Sequence, residues 1–317
     1  MWEVILLIVG FTILIWGANL LVDSASAFAK KMNVPNIVIG LTIVAFGTSA
    51  PELVVNLFAS INNQSEIVFG NIIGSNIFNI LVILGISSII TPIVIKSNSV
   101  KYEIPMVILS ALVVLVLAGD YIFAGDYISK ISRIDGVVLL IFFIAFMAYN
   151  MILVKKGDFS EEVPVKEYSK PKAILFILLG IVFLAVGGKL IVNSSISIAE
   201  KLKISQRIIA LTIVSIGTSL PELATSVVAA RKKNTDIAIG NIVGSNIFNV
   251  FFILGISAVI NSVPIPQEAI YDLFINLFIS ILLLIFVFTG KGRQIDRWEG
   301  IIFILLYIIY IAYLLLH

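Results

Sequence analysis

The run Gly47-Thr48-Ser49-Ala50-Pro51-Glu52 returns 170 positions later as Gly217-Thr218-Ser219-Leu220-Pro221-Glu222. At the same offset Gly70-Asn71-Ile72-Ile73-Gly74-Ser75-Asn76-Ile77-Phe78-Asn79-Ile80 matches residues 240–250 at nine of eleven positions. Gly17 aligns with Gly187, so the two halves stay in register without insertion through several apolar segments. A chain with such a duplication folds as two copies of one unit, and the unit's design is set by what its apolar runs can do.

Those runs lie at about 3–22, 36–61, 67–90, 103–119 and 134–154, then 173–193, 206–230, 237–260, 268–289 and 298–316. Each is long enough to cross a hydrocarbon core of about 30 Å as a helix. With 60% hydrophobic and 13% charged residues the chain lies far outside soluble composition. Strands of a barrel would show about ten-residue alternation, which is absent. Residues 3–22 lack a basic leader segment and read as the first span. The expected fold is therefore an all-α membrane protein of ten helices. Residues 1–154 form the first five-helix repeat, 155–172 a linker and 173–317 the second repeat. An odd number of spans per copy makes the second copy enter from the opposite side, giving an inverted repeat. Lys and Arg divide fifteen to five between alternate loops. The richer set, which includes the linker, is expected in the cytoplasm of a cell (inner) membrane, with both termini outside.

Mid-span, Pro51 and Pro221 withhold a backbone donor from the carbonyls of Gly47 and Gly217. Helices 2 and 7 should break there, and a break in the bilayer is tolerated only where the backbone lines a cavity or binds something. The Thr and Ser residues before each proline are positioned to cap the new half-helix. Carbonyl, hydroxyl and carboxylate oxygens then gather as the ligand set of a hard cation. Glu52 and Glu222 read as the only acidic residues deep within spans, and buried ionisable groups at that depth default to function. Two protonated structural glutamates are the alternative, but packing alone does not explain their duplication beside a helix break. In the third helix of each half, Ser75 and Asn79, and likewise Ser245 and Asn249, stand i, i+4 on one face able to look at the glutamates. Helices 3 and 8 are expected to be interrupted as well. Gly70, Gly74, Gly240 and Gly244 read as a close-packing face. Asn71, Asn76, Asn241 and Asn246 are open to either interhelical hydrogen bonding or ion contact. Asp23 and Lys189 read as locally paired or snorkelling, and Glu3, Glu103, Asp120, Glu268 and Asp272 as solvated at span ends.

At these two motifs the chain resembles the sodium/calcium exchangers of the cation/calcium antiporter superfamily, in a prokaryotic-type form without a regulatory loop domain. The resemblance implies Ca²⁺ held by Glu52, Glu222 and the carbonyls of Thr48 and Thr218, with Asn79 and Asn249 closing the central site. It implies Na⁺ at flanking positions drawing on Ala45, Ser49 and Ser75 in one half and Ser215, Ser219 and Ser245 in the other. Asn rather than Asp at 249 argues against potassium dependence, and Gly-Thr-Ser-x-Pro-Glu favours Na⁺ over H⁺ as the coupling ion. The expected activity is exchange of three Na⁺ for one Ca²⁺ by alternating access, with helices 1 and 6 moving.

A Ca²⁺/H⁺ antiporter using the same glutamates is the nearest rival. A channel fits poorly with broken inverted repeats. A membrane protease lacks its catalytic pairs, and the one histidine, His317, is the last residue. The expected partners are Ca²⁺, Na⁺ and the lipid bilayer, with no cofactor, no nucleic acid, no enzymatic activity and a functional monomer.

Overall fold

The computed structural model describes residues 2–62, 65–119, 129–156, 166–201, 215–265, 269–290 and 292–316. Among them the helices are α1 Trp2–Met32, α2 Asn36–Thr48, α3 Ala50–Ile61, α4 Val68–Ile90, α5 Ser99–Leu117 and α6 Arg133–Lys155. The second half supplies α7 Lys170–Lys201, α8 Ser215–Thr218, α9 Leu220–Arg231, α10 Thr235–Ile260, α11 Ala269–Phe286 and α12 Arg297–Leu316. Eight of the described helices are long and apolar enough to cross a membrane, or nine if the bent pair α2 and α3 counts as one span. The start of the seventh expected span, 206–214, lies outside the described residues, as does the middle of the 155–172 linker, 157–165.

Burial sorts these helices into layers. The apolar stretches of α4 and α10 are 83% buried, against 22% for α6 and α12. The helices that carry the repeated Gly-Ser-Asn motif thus form the centre, and α6 and α12 turn apolar surface outward. Such a surface is stable only against lipid, so the protein is a multi-pass membrane protein.

Between α2 and α3 the chain bends by 49° at Ser49, whose ψ of 7° is non-helical. In α4 and α10 the expected interruption is absent. Both run continuously, each through one π-helical stretch, Asn79–Leu84 and Phe248–Leu254. Neither stretch contains proline, so widening one turn accommodates the local strain without losing the helix.

Glycines bring helices into backbone contact. Gly17 on α1 faces Gly180 on α7, and Gly10 faces Gly187, so the two long helices run antiparallel. A Cβ on Gly187 would lie 2.7 Å from the Leu14 amide nitrogen. In the same way Gly240 and Gly244 of α10 press on Gly40 and Leu41 of α2. No described atom comes within 4 Å of a Cβ on Gly70 or Gly74. Positions 210 and 211, which the repeat would set against them, are outside the described residues.

Two short antiparallel ribbons were not legible as strands. β1 Ile93–Val94 pairs with β4 Gln294–Ile295, and β2 Ser129–Ile131 with β3 Val263–Ile265. Each ribbon takes one strand from each half of the chain. Their side chains are partly buried, and two or three residues carry too little periodicity to be recognised.

Charges at the helix ends follow the expectation in part. Asp23 on α1 pairs with Lys166 of the linker at 2.9 Å and with Lys232 at 2.6 Å. Its carboxylate pushes the Lys166 ammonium above the ordinary lysine range. Glu3 pairs with Lys201 at 2.5 Å, and Lys189 is exposed. Glu103 and Asp272 depart from the expected solvation, because tyrosines on neighbouring helices reach them first. Glu103 is 1% exposed and accepts from the Tyr149 hydroxyl, and Asp272 accepts from the Tyr310 hydroxyl at 3.0 Å. Asp120 and Glu268 lie outside the described residues.

Gly187→Leu is expected to lower the thermal midpoint of the purified protein in detergent. Overpacking a backbone contact of this kind costs about 1–3 kcal/mol. The neighbouring Gly188→Ala, whose added Cβ meets nothing closer than 3.9 Å, should leave the midpoint unchanged within error. Equal shifts in the two variants would show that the α1/α7 seam is looser than described.

Candidate functional site

Ser49 and Ser219 occupy the N-cap positions of α3 and α9, each with proline in the first turn that follows. Neither side chain caps its own helix. The expected local bond loses to a partner across the molecule. The Ser49 hydroxyl donates to Glu222 Oε1 at 2.8 Å, and the Ser219 hydroxyl donates to Glu52 Oε1 at 3.1 Å. Each half thus holds the other half's carboxylate. A charge-assisted bond in a low-dielectric setting outweighs a bond to a backbone amide, which is why the serines turn away from their own helices.

The same serines extend the network to the central helices. Ser49 Oγ lies 3.0 Å from Ser245 Oγ, and Ser219 Oγ 3.2 Å from Ser75 Oγ. Thr48 donates to Asn241 Oδ1 at 3.0 Å, and Thr218 donates to Asn71 Oδ1 at 3.5 Å. Glu52, Glu222, Ser49, Ser219, Ser75, Ser245, Asn79 and Asn249 are all no more than 3% exposed. Glu52 and Glu222 are near enough to act on each other's charge.

Asn76 and Asn246 settle a question left open by the sequence. Asn79 Nδ2 donates to Asn246 Oδ1 at 2.9 Å, and Asn249 Nδ2 donates to Asn76 Oδ1 at 3.0 Å. Their own amides reach each other's backbone carbonyls at 3.3 and 3.5 Å. These two asparagines therefore do interhelical bonding, and in doing so they fix the orientation of the Asn79 and Asn249 amides. With each nitrogen committed to a partner, the oxygens of Asn79 and Asn249 are left over.

Four acceptors in this network have no hydrogen-bond partner: Glu52 Oε2, Glu222 Oε2, Asn79 Oδ1 and Asn249 Oδ1. Leaving one buried acceptor unsatisfied costs about 1–3 kcal/mol, and more when it is charged. Four such oxygens, two of them carboxylate, are chemically suited to a dehydrated hard cation. Among the described residues no group of three or more His, Cys, Asp or Glu forms a metal cluster.

Two further candidates stand beside this network. The Ala45 carbonyl, buried with its residue, accepts the Ser49 N–H at 2.9 Å, and the Thr48 hydroxyl, which donates to Asn241, lies 3.2 Å from it. Ser215 opens α8, but its side chain is outside the described residues. Thr48 and Thr218 stand beside the opposite glutamates, Glu222 and Glu52. Sequence reading missed a supporting layer one turn beyond each glutamate. Asn56 donates to the Glu52 carbonyl at 2.8 Å, and Ser226 accepts from Asn241 at 2.9 Å. The signal was available, since position 56 lies at i+4 from Glu52 and position 226 at i+4 from Glu222.

The sequence profile of the family described as Sodium/calcium exchanger protein matches residues 2–152 and 172–316. The chain belongs to that family. The sodium/calcium exchanger MaX1 of Methanosarcina acetivorans is 32% identical over 98% of this chain and 97% of its own length. A putative antiporter, CaxA of Alkalimonas amylolytica, is 36% identical over 96% of each chain. A solved structure of the sodium-calcium exchanger NCX_Mj, soaked with Na⁺ and Sr²⁺, superposes with a TM-score of 0.84 at 34% identity and 98% coverage of both chains. Like these sodium/calcium exchangers the chain is of prokaryotic size, with no regulatory loop domain between its halves.

Asn246→Ala releases the Asn79 amide and should weaken Ca²⁺ binding about tenfold, or about 1.4 kcal/mol. Asn246→Asp keeps an acceptor at that position and should retain more affinity than the alanine variant. Equilibrium ⁴⁵Ca²⁺ binding to the purified protein checks the order, and equal losses would remove the orienting role of Asn246.

Proposed function

We propose that this exchanger moves three Na⁺ against one Ca²⁺ by alternating access, and that Glu52 and Glu222 are the shared carboxylates of the ion site. The observation that carries the reading is the crossed serine–glutamate pair with its four unsatisfied oxygens. In this scheme Ca²⁺ takes Glu52, Glu222, Asn79, Asn249 and the carbonyls of Thr48 and Thr218. Na⁺ takes flanking positions at Ser49, Ser75, Ser219 and Ser245, with Ser215 and Ala45 as outer contributors. The Ala45 carbonyl accepts the Ser49 N–H and keeps its second lone pair for that contribution.

Charge explains why such a site exchanges and does not leak. With both glutamates ionised the empty site carries −2. One Ca²⁺ brings it to zero and three Na⁺ bring it to +1. A doubly charged empty site is strongly disfavoured from crossing a low-dielectric barrier, whereas near-neutral loaded states can cross. Net charge moves in the sodium-loaded step, so turnover is electrogenic.

Inversion of two five-helix repeats, ten spans in all, gives the site its symmetry. The antiparallel glycine seam of α1 and α7 supports this, because Gly10 and Gly17 differ from Gly180 and Gly187 by the repeat offset of 170. The excess of Lys and Arg supports a cytoplasmic linker and external termini. NCX_Mj is described as undergoing extracellular ion exchange with induced occlusion of its binding site. The same type of cycle, carried out by a single copy of the chain with α1 and α7 moving, is the reading offered here.

Proteoliposomes loaded with Na⁺ should accumulate ⁴⁵Ca²⁺ when diluted into sodium-free medium. Glu52→Gln and Glu222→Gln should each reduce that uptake about 100-fold or more, since each leaves a net charge too small to bind a divalent ion. An inside-positive potential set with potassium and valinomycin should change the rate. Indifference to that potential would remove the three-to-one count. Uptake driven by a pH gradient in the absence of Na⁺ would instead identify a Ca²⁺/H⁺ antiporter.

A further inference from the structure

Along α3 the buried side is polar and the exposed side apolar. Val54, Phe58 and Ile61 face outward, whereas Glu52, Asn56 and Ser60 are each no more than 1% exposed. These three stand four residues apart on one helical face, with about 6 Å of rise from each to the next. Each keeps an oxygen that has no hydrogen-bond partner: Glu52 Oε2, Asn56 Oδ1 and Ser60 Oγ. Asn56 commits its amide nitrogen to the Glu52 carbonyl, which fixes the side chain that carries the free oxygen. Two residues beyond Ser60, Asn62 is exposed, so the row leads from the ion site to the surface at the Ile61 end of α3.

The facing wall is polar at the same end. α3 packs on the Phe248–Ile260 part of α10. There Gly255 and Ala258 lie against Gly136 of α6, and Ser257, about 200° round the helix from Gly255, is turned off that face. Ser257 is buried, and its hydroxyl also lacks a partner. The second half of the chain does not repeat the row. Ser226, at the position equivalent to Asn56, accepts from Asn241, and buried Ala230 stands where Ser60 would. Thr225 and Ser87 keep unpartnered hydroxyls on that side, but the oxygens spaced from Glu222 stop one turn along α9. Buried oxygens without partners are costly, so a continuous row of them calls for a guest. Neutral amide and hydroxyl oxygens leading to a carboxylate suit a hard cation that travels with part of its water.

We infer that the inner face of α3, against α10, is the path by which cations reach and leave the site, with Asn56 and Ser60 as its stepping oxygens. This rests on Glu52 being an ion ligand, as proposed above. A step of about one helical turn lets the ion take the next oxygen while water completes its shell. Because both stepping groups are neutral, they bind the ion too weakly to trap it. The apolar outer face of α3 separates the path from lipid.

The chain has no cysteine, so single introduced thiols can be followed without background. Ag⁺ is close to Na⁺ in size, displaces the thiol proton and forms an S–Ag bond. Full-length Asn56→Cys, Ser60→Cys and Val54→Cys proteins in lipid nanodiscs, where both faces meet the bath, are exposed to Ag⁺ in nitrate medium. After washing they are denatured, alkylated with N-ethylmaleimide and read by intact mass. Silver should reduce alkylation at least tenfold at positions 56 and 60, and should leave Val54→Cys, on the lipid side, fully alkylated. Ser60→Val should lower the maximal rate of sodium-driven ⁴⁵Ca²⁺ uptake about tenfold with equilibrium ⁴⁵Ca²⁺ binding unchanged, and Ser60→Thr should keep the parent rate. A purely structural serine would not separate rate from binding in this way, and the Ser60 variants keep the inference testable if a cysteine variant does not fold. Protection at neither position, at 60 alone, or equally at 54 would overturn the path, as would a Ser60→Val rate equal to that of the parent. Failure of the parent to take up Ca²⁺ would count against the exchange reading and leave the silver result standing, so the two failures are separately visible.

Discussion

Each glutamate in the centre of this protein is held by a serine from the other half of the chain. That exchange makes the two copies inseparable as a functional object, because neither half on its own can satisfy its carboxylate. It also explains why the proline breaks are tolerated. A serine freed from helical geometry at the bend can abandon its local capping role and reach across the interface. The break supplies the reach, and the opposing carboxylate supplies the reason.

Asparagine completes the site by dividing labour. Asn76 and Asn246 face each other's helices, whereas Asn79 and Asn249 spend their nitrogens on that contact and keep their oxygens. A side-chain amide is suited to this task because it carries a donor and an acceptor on one rigid plane. A carboxylate at Asn79 or Asn249 would add charge, and a serine could not present a fixed oxygen. The π-helical stretches begin at Asn79 and Phe248, so the widened turn falls where the amides must be aimed.

Much of this was readable from the sequence, and the remainder failed for identifiable reasons. The multi-pass helical character followed from apolar runs, and duplication beside a proline singled out Glu52 and Glu222, which are buried within reach of each other. The i, i+4 spacing found Ser75 with Asn79 and Ser245 with Asn249. Local rules misjudged the serines, since capping preference describes a helix end in isolation and says nothing of a charged acceptor arriving from 173 residues away. Glu103 and Asp272 were misread for the same reason, their tyrosines lying 46 and 38 residues distant. Helix α4 was expected to be interrupted like the bent span, yet without proline the backbone had no donor to lose.

The two small ribbons have a mechanical meaning. One joins the segment after α4 to the segment before α12, and the other joins the segment before α6 to the segment after α10. Both are cross-links between the halves, made of backbone hydrogen bonds at two separate loop clusters. Stitches at both places oppose a clamshell opening about the centre. In the proposed alternating-access cycle, the long glycine-faced pair α1 and α7 lies outside both stitches and is the pair that moves.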